Sequence, residues 1–181
     1  MKTLKKMHGV TLVELMITVS TAALALGLGI PAFGGIQTSM QRGQAVSEMV
    51  SSFTLARSEA ARRGVSVSIC ASTDGQTCTA GDLPNWRNGW IVFTDADEDH
   101  VADTGTDEII HVARFEQTAF SIVPPSATSA TESRPDGVTF RGTGYPDVAG
   151  TFNYCDSGAS RGLDLNYLGR ININESDSGC S

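Results

Sequence analysis

The hydrophobic pattern of the chain changes character twice. Residues 10–33, VTLVELMITVSTAALALGLGIPAF, are almost continuously apolar, and Glu14 is their only ionisable side chain. That length suits a membrane-spanning helix. Beyond it Ile36, Met40, Val46, Val50, Phe53, Ala56 and Ala60 recur three or four residues apart, the spacing of one helix face. No polar break separates the two stretches. One helix is therefore expected to run from the span through an amphipathic half, residues 34–64, and to end near Gly64, on the order of 80 Å in all. Such a helix is too long to lie wholly in a bilayer.

After Gly64 the period falls to two, with Val65, Val67 and Ile69 alternating with small or polar residues. Strands are expected over 65–70, 89–94, 108–115, 119–123, 137–141, 151–155, 162–167 and 170–174. Their Gly, Pro and Asp breaks point to an antiparallel sheet packed on the end of the helix, which makes 65–181 a β-rich head in an α+β fold. Residues 124–136, PPSATSATESRPD, carry no apolar pattern and are expected to form a loop.

Charge separates the N-terminus from the rest. Lys2, Lys5 and Lys6 are the only lysines, and all remaining basic side chains are arginines. A basic flank stays in the cytoplasm, which places everything after the span in the periplasm. A carboxylate at Glu14 costs several kcal/mol in a bilayer unless it snorkels, is protonated or meets a cation, so it reads as functional. A secretory signal peptide is the competing reading, with Ala32-Phe33-Gly34 imitating a cleavage site. Glu14 at the head of the apolar run, and the unbroken helical pattern after it, oppose that. The formal net charge is -7, and loss of residues 1–9 removes three lysines and no acid, giving -10. So acidic a chain repels phosphates and anionic headgroups, which disfavours nucleic acid as a partner.

Cys70, Cys78, Cys155 and Cys180 are even in number and contain no C-x-x-C pair, so disulfides fit better than zinc or redox chemistry. Three pairings are possible. Cys70 with Cys78 and Cys155 with Cys180 are favoured because each closes a local segment, and both require an oxidising compartment.

The segment Lys5-Lys6-Met7-His8-Gly9 followed by Val10-Thr11-Leu12-Val13-Glu14-Leu15 resembles the type III signal of type IV pilins and type II secretion pseudopilins. The resemblance implies a leader, residues 1–9, removed by prepilin peptidase after Gly9, and N-methylation of Val10. It implies that Glu14 pairs with the free amine of a neighbouring subunit. The family usually has Phe after the cleavage site, where Val10 stands here. Pro31 matches the proline that bends pilin helices, and Gly27, Gly29, Gly34 and Gly35 would soften the helix around it. Further on, Leu55-Ala56-Arg57-Ser58-Glu59-Ala60 before Arg63-Gly64, a strand ending at Cys70, Trp86, and Gly89-Trp90-Ile91-Val92-Phe93-Thr94-Asp95 resemble the GspH/FimT family of minor pilins and pseudopilins. The implied fold is pilin-like. The implied partners are other pilins, the peptidase and the inner membrane.

Enzymatic readings lack partners. Gly158-Ala159-Ser160-Arg161-Gly162 matches a nucleophile-elbow pattern, yet no histidine follows His111, so Ser160 is read as a loop serine. Asp95-Ala96-Asp97 after a hydrophobic strand suits aspartate-based phosphatases, whose chemistry needs a downstream lysine that this chain lacks. His100 and His111 are isolated, which disfavours zinc. Asp95, Asp97, Asp99 and Asp103 fall at alternate or near-alternate positions, as hard oxygens for Ca²⁺ do, although His100 replaces the loop glycine and Thr106 the bidentate glutamate. A solvated acidic hairpin tip is the alternative and the favoured one; no other cofactor is expected. Two functions follow: a structural and assembly subunit of a type IV pilus or a type II secretion pseudopilus, or a DNA receptor for transformation. Some FimT-like proteins bind DNA through Gly-Arg-x-Arg, and here Gly169-Arg170-Ile171-Asn172 keeps only Arg170.

Overall fold

The computed structural model describes residues 9–79, 86–103, 105–115, 120–123, 137–156 and 160–175; of residues 25–39, 41, 42, 120, 121, 123, 156 and 175 it describes the backbone alone. The expected loop over 124–136 and Cys180 lie outside the described residues. The chain divides into two compact units, residues 1–44 and 45–181. Helix α1 runs Leu12–Arg63. It is helical through Pro31, so the expected softening does not appear as a break.

In the first unit Thr11 caps α1, its Oγ1 accepting the Glu14 N–H at 3.3 Å. The hydroxyls of Thr18, Ser20 and Thr21 donate back to the carbonyls of Leu15, Met16 and Ile17. Leu12, Val13, Met16 and Val19 are exposed. Among the described residues no helix is long and apolar enough to cross a membrane, and the side chains of the expected span from residue 25 onward lie outside them.

In the second unit Ala45, Val46, Met49, Phe53, Ala56 and Ala60 form the buried face of α1. Ser52 lies on that face too, and its hydroxyl accepts the Trp90 indole N–H at 2.9 Å, which satisfies both groups. All eight expected strands form: β1 Val67–Ala71, β2 Gly89–Thr94, β3 Ile109–Arg114, β4 Phe120–Val123, β5 Gly137–Phe140, β6 Gly150–Asp156, β7 Ser160–Leu165 and β8 Ile171–Glu175. They make two antiparallel sheets rather than one, in the orders β3-β2-β1-β5 and β4-β6-β7-β8. Gly89, at φ 133°, lies so close to β3 that a Cβ would stand 2.1 Å from the Ala113 carbonyl oxygen, so only glycine fits this strand start. Ser160 opens β7 opposite Cys155 and is not a loop residue.

One core joins both sheets and the helix. The Phe53 ring meets Phe140 at 6.2 Å and Phe152 at 5.1 Å, and Trp86 packs edge-on to Phe152 at 5.4 Å. Truncating Phe53 to alanine would cost on the order of 3–5 kcal/mol. β1 and β2 are buried along nearly their whole length, which for β1 is contrary to the one-sided burial that its alternation implies. Their second face carries Cys70, Ile91 and Phe93, against which Cys78 and Ala102 pack. Two loops therefore close that face.

Candidate functional site

Cys70 and Cys78 are bridged, with Cα atoms 5.6 Å apart, and the bond pins the first of those loops. Inside it the Asp74 carboxylate accepts the N–H groups of Thr77 and Gln76 and the Thr77 hydroxyl. These donors, Thr77 first, hold its carboxyl well below the usual carboxylate range. Cys155 is also disulfide-bonded.

The second loop, 95–103, is built around a buried carboxylate. Asp95 accepts the Ser68 hydroxyl at 2.5 Å and the N–H groups of Asp99 and His100 at 3.2 Å each. Ser68 also shares a hydrogen bond with Thr139 on β5, and Thr139 with His100 Nε2 at 2.7 Å. Asp147 Oδ1 accepts the Thr139 N–H, and its Oδ2 stands 3.6 Å from His100 Nε2. His100 is thus a member of a buried polar network and not an isolated histidine. Its φ of 61° is the left-handed conformation that a calcium loop assigns to glycine. Glu98 is left-handed too, and its side chain accepts the Ser66 hydroxyl and stands 3.5 Å from Arg141.

Carboxylate oxygens of Asp95, Asp97 and Asp99 come within 4.8 Å of one another. Asp103, the fourth expected ligand, is not with them; its N–H binds the Asp107 carboxylate and its carbonyl the Asp107 N–H. Asp95 is largely used by donors from β1 and the loop itself; Asp97 and Asp99 are exposed, and Asp99 Oδ1 accepts the Val101 N–H at 2.7 Å. Burial and the neighbouring carboxylates of Asp99 and Asp95 push the Asp97 carboxyl up. The arrangement fits a hairpin tip organised by an internal aspartate better than a complete calcium loop.

A second constellation was not visible in the spacing. Arg57 on α1 donates from Nη1 to the Gly169 carbonyl at 3.1 Å, across 112 residues. Gly169, at φ 70°, is packed so closely that a Cβ would lie 3.1 Å from both Arg57 and the Gly144 carbonyl oxygen. The turns 141–146 and 166–170 are therefore in contact beneath one guanidinium. The motif containing Arg57 and the Gly-Arg pair at 169–170 lie far apart in the sequence, and here they meet. His111, the other isolated histidine, pairs through Nε2 with Glu48 at 2.7 Å.

A family profile described as "Type II transport protein GspH" matches residues 45–169, more than half of the chain. The chain belongs to the GspH family. The match covers α1 from Ala45 and the strands β1 to β7, and ends at Gly169, before β8. A crystal structure of the type IV minor pilin FimU of Pseudomonas aeruginosa in space group P21 is similar, with TM-score 0.53 and 19% identity over 77% of this chain and 92% of that one. At that identity the likeness shows a shared fold. A second crystal form of FimU, in space group P65, aligns with TM-score 0.49 and 21% identity over 73% and 91% of the two chains. No curated protein matches. The GspH-family head therefore accounts for the expected order of Trp86, the Gly89–Asp95 strand and the helix motif. The N-terminal residues Gly9, Val10 and Glu14 lie outside the matched range.

Proposed function

We propose that this GspH-family chain is a minor pilin or pseudopilin, a non-enzymatic subunit of a type IV pilus or type II secretion pseudopilus. Family membership supports a pilus or pseudopilus subunit role. The observation that carries the finer reading is the order along the chain: a basic leader, Gly9, an apolar run with one carboxylate at Glu14, then the GspH head. In this reading prepilin peptidase cuts after Gly9, Val10 is methylated, and residues 10–33 span the inner membrane once, with the head in the periplasm. The hydroxyls of Thr18, Ser20 and Thr21, returned to their own helix, suit such a lipid-facing segment.

A periplasmic head suits the disulfide chemistry, and Cys155–Cys180 is the second bridge in this proposal. Glu175 pairs with Arg161, and Cys155 with Ser160, so β8 ends at the end of the sheet where Cys155 lies. Non-reducing peptide mapping would recover that pair. The main test is the mature N-terminus: mass spectrometry should find methylated Val10, and Gly9→Ala should leave the precursor in the inner membrane. A mature chain starting at Gly35 would show an ordinary signal peptide and remove the reading.

A further inference from the structure

Tyr145, Tyr167 and Leu168 are 51%, 68% and 54% exposed, and they sit on the two turns that Arg57 holds together. Large apolar side chains on turns are ordinarily mobile, yet these turns are fully wired. Asn166 Oδ1 accepts the N–H groups of Leu168 and Arg170, and the Asn166 N–H donates to the Arg170 carbonyl. In the other turn the Arg141 N–H donates to the Tyr145 carbonyl, and the Gly144 N–H to the Arg141 carbonyl. Rigid presentation of exposed aromatics lowers the ordering entropy that binding must overcome. Tyrosine and arginine are also the residues most often found at the energetic centres of protein interfaces.

Local charge selects the partner. The turns 141–146 and 166–170 contain Arg141 and Arg170 and no acidic residue, in a chain of 20 acidic and 13 basic side chains. Arg57 adds a positive charge beside them. A partner tracking phosphates would need a row of available cations. Here Arg57 is committed to the Gly169 carbonyl and Arg141 stands beside Glu98, which leaves Arg170 at the rim. One cation beside two tyrosines and a leucine suits a compact acidic protein face.

We propose that the Tyr145–Tyr167–Leu168 patch, with Arg170 at its rim, docks the head onto an acidic face of a neighbouring filament subunit. The inference rests on the filament reading above. It deepens that reading by naming the contact surface and the chemistry of its partner. Arg57, half-buried, is the positioning residue, since it is hydrogen-bonded to Gly169 and packs beside Gly144.

The test is photo-cross-linking in the full-length chain, in its native host, with a benzophenone amino acid at position 167 and a control at Gln76 on the disulfide loop. Position 167 should yield an adduct with another subunit of the same filament, mapped to a segment bearing Asp or Glu, and position 76 should not. Leu168→Ala and Arg170→Glu should each lower the yield about tenfold, and Arg170→Lys should restore most of it. Retention of the Cys70–Cys78 bond and of the thermal midpoint would show that the variants fold. Sheared filaments that contain the chain but no adduct at 167, or equal adducts at 167 and 76, overturn the docking surface and leave the filament reading standing. Adducts to nucleic acid overturn it in favour of a DNA-binding face. Absence of the chain from filaments, with an unprocessed N-terminus, sinks both.

Discussion

Glu14 occupies the third position of α1, three residues after the Thr11 cap, which is also the spacing of a capping box. Its carboxylate therefore has a local role at the positive end of the helix dipole as well as the proposed pairing with a subunit amine. The two roles separate by substitution. Glu14→Gln keeps a side chain able to complete the cap but removes the charge, whereas Thr11→Ala removes the cap, at about 0.5–2 kcal/mol, and keeps the charge. We expect Glu14→Gln to insert and be processed normally while its filament-to-membrane ratio falls, and Thr11→Ala to stay near wild type. A wild-type ratio for Glu14→Gln would exclude charge pairing at this position. At Asp95 a carboxylate has a different role, because three donors from the chain converge on it and organise the loop around it.

Between elements, the end of α1 is tied to the head by charge. Arg62 and Arg63 both bind Glu59, and Arg63 reaches Glu108 at 2.5 Å, one residue before β3. The guanidinium of Arg62, followed by that of Arg63, lowers the Glu59 carboxyl from 4.5 to about 2, and Arg63 lowers Glu108 as well. A depressed carboxylate contributes stability that is present above its unfolded value and is lost as pH falls through its folded value. Acid unfolding followed by circular dichroism should therefore show a loss of thermal midpoint between about 4.5 and about 2. Glu59→Gln should lose less across that window than wild type; an identical slope would mean the pairs are too solvated to matter.

For the whole molecule, sign and distribution of charge govern partners. The mature chain would carry -10, since the leader removes three lysines from a total of -7. Arg161 and Arg170 are the only basic residues beyond position 141. Duplex DNA should then bind the head no more tightly than the weak non-specific range, ~10⁻⁴ to 10⁻⁶ M at physiological salt, in a fluorescence anisotropy titration. Submicromolar binding abolished by Arg170→Ala would instead make DNA uptake the leading function.

The sequence by itself determined the order of elements, because apolar periodicity is local: a stripe at three and four residues specifies a helix face, and alternation specifies a strand. That was enough to place α1 and all eight strands to within a few residues, and to indicate the Cys70–Cys78 bridge through the short segment it closes. Tertiary structure decided what distant residues do to one another. Pairing order split the strands into two sheets, and loop closure buried the second face of β1, which alternation alone leaves wet. It also drew Asp95, Asp97 and Asp99 together without Asp103, and brought Arg57 to Gly169. Contacts across a hundred residues leave no period in the sequence, since they depend on how layers stack and not on which residue follows which.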